Sequence, residues 1–145
     1  MNRTTVFIME DDEEFSQLLK LRFEADGYEV LTAKNGDEAL RSIAIHLPDT
    51  VILDIFVPDM DGLTVLKRLK SPIDIETGKP SLTKNIPIIV LTGKAPMVEN
   101  MVRLEGADDF FVKPLDVERL VNRVNELLEQ AKHEKRKRPQ KNSFG

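Results

Sequence analysis

The chain has 145 residues, no cysteine, 32% charged residues and a net charge of −4; this bounds it to one domain and excludes a disulfide framework, a thiol nucleophile and zinc-finger spacing. No apolar run approaches the roughly 18 to 20 residues of a membrane span, and the start, MNRTTVFIMEDDEEF, turns acidic too early for a signal peptide, so a cytoplasmic chain with no membrane association is expected. Residues 132–145 hold six Lys and Arg against one acid, Glu134, leaving 15 basic and 24 acidic residues and a net −9 before that tail. An acidic body with a short basic tail argues against a nucleic-acid-binding domain.

Thr5 to Met9 is a short apolar strand that runs into Glu10, Asp11, Asp12, Glu13 and Glu14. Asp12 suits an N-cap, and Glu13 and Glu14 suit the first turn of a helix whose apolar positions are Phe15, Leu18, Leu19 and Phe23, ending at Asp26-Gly27. Helix chemistry leaves Glu10 and Asp11 unexplained. Tyr28 to Ala33 reads as the second strand and Asn35-Gly36 as a turn. A second helix follows with Ala39, Leu40, Ile43, Ala44 and Leu47 on its face, ending before Pro48.

Val51 to Ile55 is an apolar third strand carrying one acid, Asp54, into the turn PDMDG, where Asp59 and Asp61 read as turn and cap residues. Leu63, Leu66 and Leu69 make a short third helix. Residues 71–85, SPIDIETGKPSLTKN, form a connection longer than the usual roughly 2 to 6 residues. Ile86 to Leu91 is the fourth strand, ending on Thr92-Gly93. Pro96 to Leu104 is the fourth helix, with Asp108 and Asp109 as turn residues behind it. Phe110 to Val112 is the fifth strand, followed at once by Lys113-Pro114. Leu115 to Ala131 is the last helix, so the domain is expected over residues 1–131, with 132–145 as a basic, flexible tail. Five strands alternating with five helices predict an α/β, doubly wound parallel sheet.

In such a sheet the strands expose their C-terminal ends along one edge, where ligands bind. Glu10/Asp11, Asp54, Thr92 and Lys113 stand at the ends of strands one, three, four and five. Three carboxylates would raise one another's pKa unless a cation joined them, and an all-oxygen, acid-rich set suits Mg²⁺ or Mn²⁺. An Asp54 oxygen left free could attack phosphorus while Lys113 neutralises the phosphoryl oxygens and Thr92 donates a hydrogen bond.

With VFIMEDD, VILDIFVPDMDG, IIVLTG and GADDFFVKP in this order, residues 4–131 resemble the receiver domain of two-component response regulators. The resemblance implies a flavodoxin-like fold of strand order 2-1-3-4-5. It further implies a phosphoacceptor, Asp54, supplied by a histidine kinase or a histidine phosphotransfer protein. Mg²⁺ would sit on Asp11, Asp54 and the backbone carbonyl of Phe56, with Glu10 acting through water. Thr92 and Phe110 would form the switch, and the Lys113–Pro114 peptide would be cis. Output would pass through the fourth helix, fifth strand and fifth helix to an unknown downstream protein, with a phosphorylation-linked homodimer as one form.

The sequence departs from the family's usual pattern at Glu10, where Asp is often found, at Gly93 and at Phe56. The bulk of Phe56 is expected to shield an acyl phosphate from water. It also stands where a haloacid-dehalogenase-like phosphatase, the enzyme alternative, would carry a second acid. A third reading, a pseudo-receiver that binds partners without phosphorylation, is opposed by the intact acids, Thr92 and Lys113. His46 and His133 lie in no cluster. No DNA-binding domain is expected within this chain, and turnover of external substrates is not expected.

Overall fold

The computed structural model describes residues 3–55, 62–93 and 99–137. Among these residues ten elements follow in strict alternation: β1 (Thr5–Met9), α1 (Glu13–Ala25), β2 (Glu29–Ala33), α2 (Gly36–His46), β3 (Thr50–Asp54), α3 (Gly62–Lys70), β4 (Ile88–Thr92), α4 (Glu99–Leu104), β5 (Asp109–Val112) and α5 (Val117–Lys137). The strands form one parallel sheet in the order β2-β1-β3-β4-β5, the expected order. β3 and β4 are buried along their whole length, which is why their sequences run apolar without alternation.

Alternation along each strand divides the core in two. Phe7, Met9, Val51, Leu53, Ile88 and Val90 pack against α2, α3 and α4. Val6, Ile8, Ile52, Ile89 and Leu91 pack against Leu19 and Phe23 of α1 and Leu120, Val121 and Val124 of α5. Each large side chain removed from water in this way contributes about 1.5 to 3 kcal/mol.

The helix ends follow local chemistry. The Asp12 side chain accepts from the Phe15 amide at 3.2 Å, making Asp12 the N-cap of α1. Gly27, at φ +91°, closes that helix in the left-handed conformation that a Cβ opposes. Asn35 is a cap and not a turn: its Oδ1 accepts from Glu38 N at 2.9 Å, and Gly36 is already helical. Leu47 is also displaced from its expected role. It is a left-handed C-cap at φ 45°, its amide bonded to Ile43 O, because Pro48 stops the helix. Leu47 and Ala44 are therefore exposed, and Ala39 and Ile43 carry the buried face.

Two boundaries shift for equally local reasons. β4 begins at Ile88 and not Ile86, since Pro87 has no amide to give the ladder; its carbonyl accepts from Val51 N at 3.0 Å and Thr50 Oγ1 at 3.1 Å. α5 continues past Ala131 to Lys137. Its apolar stripe ends at Leu128, but the Glu, Gln, Lys and Arg beyond it are good helix formers. The Pro96 start of the fourth helix, like residues 58–61 of the PDMDG turn, lies outside the described residues, and Gly62 is already the first residue of α3.

The long connection is ordered. Ile73 bridges Pro80 in antiparallel fashion, and Asp74 Oδ1 accepts from Glu76 N at 2.8 Å in an Asx turn. The Thr83 hydroxyl reaches Leu69 O at 2.8 Å, and Lys70 Nζ reaches Ile86 O at 2.7 Å, tying the far end of the segment back to the end of α3. With the outer side of α2 it lines a groove of about 340 Å³.

Candidate functional site

The site lies at the C-terminal edge of β1, β3, β4 and β5, and backbone contacts fix each contributor. Glu10 follows β1 directly, its amide bonded to Ala33 O at 3.0 Å. Asp54 is the last residue of β3, and the next amide, Ile55 N, bonds to Leu91 O at 3.0 Å. Lys113 N bonds to Thr92 O at 2.8 Å just past β5, and the peptide from Lys113 to Pro114 is cis.

Strand alternation decides which side chains meet. Ile8 and Ile52 face the α1/α5 side, so Glu10 and Asp54, two residues on, continue that face, as does Lys113 after Phe111. Their tips converge. Lys113 Nζ lies 2.8 Å from both Glu10 oxygens and 2.9 Å from Asp54 Oδ2. Thr92 is in register with Val112 and follows Val90, so it leaves from the opposite face, the one on which Phe110 is half-buried against the α2/α3/α4 core. Thr92 is fully buried.

Burial dominates the electrostatics of Glu10, and ion pairing those of Lys113. Glu10 is 1% and Asp54 4% exposed. Loss of solvation pushes the Glu10 carboxyl up to about 7; the Lys113 hydrogen bond opposes the rise and the nearby Asp54 charge adds to it. For Lys113, burial alone would lower the ammonium, but its bonds to Glu10 and Asp54 outweigh this and raise it. Glu10 Oε1 also accepts from Asp12 N at 3.3 Å. Oxygens of Glu10, Asp11 and Asp54 all lie within 4.8 Å of one another, with Asp11 exposed. Such hard oxygen donors, with one solvent-facing member, fit a divalent cation that keeps part of its water.

Two contributors escaped the sequence reading. Phe15, taken as a core position of α1, has its ring 5.2 Å from Lys113 Nζ. Gly62, taken as a turn residue, starts α3 so close to β3 that a Cβ there would stand 2.5 Å from Ile55 Cα and 2.7 Å from Asp54 O. Among the described residues His46 hydrogen-bonds to Ser42, at the end of α2. Phe56, Asp59 and Asp61 lie outside the described residues.

The sequence profile of the response regulator receiver domain matches residues 6–125. The chain belongs to the response-regulator receiver family. Receiver domains are modules of phosphorylation-based two-component signalling. Among its curated relatives, this receiver is 38% identical over 130 residues to the phosphate regulon transcriptional regulatory protein PhoB of Rhizobium meliloti, covering 89% of this chain and 54% of PhoB. It is 35% identical to the response regulator MprA of Mycobacterium avium, covering 89% and 53%. The chain thus spans about half the length of the curated relatives it matches. Among solved structures, a CheY-like receiver domain protein of Methanospirillum hungatei superposes with a TM-score of 0.79 at 26% identity, covering 92% of this receiver and 99% of that chain. The BeF3-activated N-terminal receiver domain of Klebsiella pneumoniae RstA superposes at 0.72 with 28% identity, covering 87% and 99%.

Proposed function

We propose that this receiver is a phosphorylation-controlled switch whose phosphoacceptor is Asp54. The observation that carries this reading is the convergence of Glu10, Asp54 and Lys113 from three strand ends, with the ammonium 2.9 Å from a buried carboxylate at the sheet's ligand-binding edge. An Asp54 oxygen attacks phosphorus of a phosphohistidine on a histidine kinase or phosphotransfer protein. The P–N bond breaks and its electron pair stays on the imidazole. Lys113 neutralises charge on the phosphoryl oxygens, and the Thr92 hydroxyl donates to one of them.

Asp11 and Asp54, with the Phe56 carbonyl, would hold Mg²⁺ or Mn²⁺, Glu10 acting through water. When bound, the ion supplies further positive charge to the phosphoryl oxygens. That the similar receiver domain of RstA takes a BeF3-activated form supports a switch of this kind.

Phosphorylation would be read by Thr92 and Phe110, which share the face toward α4, and passed to a downstream protein or a second copy at α4, β5 and α5. Exposed Met101, Leu104 and Val112 give that surface apolar contact area. Incubation with acetyl phosphate and Mg²⁺ tests the assignment: wild type becomes labelled and Asp54→Ala does not. Equal labelling of the two refutes it.

A further inference from the structure

We infer that Phe15 is a positioning residue for Lys113, holding its ammonium over the reactive edge through a cation–π contact. The inference rests on Asp54 as phosphoacceptor and concerns what keeps the lysine there. The first turn of α1 is fixed by the Asp12 cap on the Phe15 amide, and the half-buried ring also packs on the α1/α5 side of the core. The ring's location is therefore set by the fold and not by Lys113. Its centroid lies 5.2 Å from Nζ, within the roughly 6 Å at which a ring face attracts a cation.

The ammonium is thus enclosed by Glu10, Asp54 and one aromatic face. Its side chain is 26% exposed, so solvent is the competing destination. Lysine, with its four rotatable bonds, loses rotamer freedom when held in one geometry. Both acids that hold it also belong to the cluster able to take a divalent cation. When an ion draws on those oxygens, Phe15 remains, among the described residues, a contact that Lys113 does not share with it.

Two measurements on the full chain test this. The first is NMR of the metal-free protein. Ring current shifts the Lys113 Hε protons upfield in wild type and in Phe15→Tyr, and the shift disappears in Phe15→Leu. The second is the rate of labelling by acetyl phosphate and Mg²⁺: Phe15→Leu slows it about two- to fivefold, and Phe15→Tyr restores it.

An unshifted Lys113 in wild type overturns the inference even if Phe15→Leu fails to fold. Labelling of Phe15→Leu at the wild-type rate overturns it too, as does equal slowing in both variants, which would assign Phe15 to packing alone. Wild type that is not labelled on Asp54 removes the underlying reading and this inference with it. That failure is distinct because it is read from the labelling of wild type, whereas the inference is read from the Lys113 shift and from the variants.

Discussion

Lys113 meets Glu10 through both carboxylate oxygens, each at 2.8 Å, and Asp54 through only one, at 2.9 Å. The acid that holds the cation most fully is thus not the proposed nucleophile. Glu10 titrates near 7 because it is buried, well above the ordinary 4.5. A carboxyl raised on folding stabilises the fold below its unfolded value, and that contribution is lost as pH rises through the folded value. In chelator, Glu10 therefore contributes stability at pH 4.5 that declines toward pH 7 and above, by up to about 3 kcal/mol. Urea denaturation from pH 4.5 to 8 should show a steeper decline in wild type than in Glu10→Gln. Parallel curves would contradict the assignment. Mg²⁺ should oppose the decline, because a cation favours the ionised acid.

The same crowding of charge sets Asp54 against Glu10 in the metal-free protein. Its charge raises Glu10, and both are buried. Asp54→Asn keeps an oxygen for Lys113 and removes the repulsion. Its expected effect at pH 8 without metal is a gain of about 1 to 3 kcal/mol, the size of a like-charge interaction at an effective dielectric near 20. Thermal unfolding in chelator reads it directly. A lower midpoint than wild type would mean that the Lys113–Asp54 contact outweighs the repulsion.

Gly62 gives a prediction of steric origin. A Cβ at this position would stand 2.5 Å from Ile55 Cα and 2.7 Å from Asp54 O, both backbone atoms that no rotamer change can relieve. The Gly62 amide is also bonded to Ile55 O at 2.8 Å, so the start of α3 and the end of β3 move together. Gly62→Ala should destabilise by about 1 to 3 kcal/mol or more, as overpacking does. It should also slow phosphorylation, because relief of the clash shifts the backbone carrying Asp54. Wild-type stability and labelling in Gly62→Ala would exclude the close approach.

What the sequence disclosed and what it hid divide along physical lines. The sheet was legible because β3 and β4 are covered on both faces and must be apolar throughout. The acids at strand ends were legible because no helix or core has a use for them there. Asn35 and Leu47 depart from expectation because caps and turns use the same residue types, and only the path of the neighbouring chain separates them. The end of α5 was hidden because an apolar stripe marks where a helix packs and not where it stops. Phe15 was read as core, which is half of its role; no spacing rule reports that a residue of strand five's loop reaches it.

Asp108 was read as a turn residue, yet it clasps the start of β4. Its Oδ2 accepts from Ile88 N at 2.8 Å, and its own amide donates to Ile88 O at 2.8 Å, so one residue holds both polar groups of the first residue of the strand. The same Oδ2 lies 3.4 Å from Lys70 Nζ, which keeps other partners at Ile86 O and Lys84 O. Losing the side chain therefore strands the partly buried Ile88 amide far more than it strands the lysine. Asp108→Ala should cost about 1 to 3 kcal/mol, the penalty of an unsatisfied buried donor, whereas Asp108→Asn, which retains an acceptor oxygen, should cost less than half of that. Because the clasp lies at the N-terminal end of β4, opposite Thr92, labelling of Asp54 by acetyl phosphate should match wild type in both variants under conditions where they are folded. Urea denaturation separates the pair. Equal losses in Ala and Asn would assign the effect to the Lys70 ion pair, and slowed labelling in either would show that the two ends of the strand are coupled.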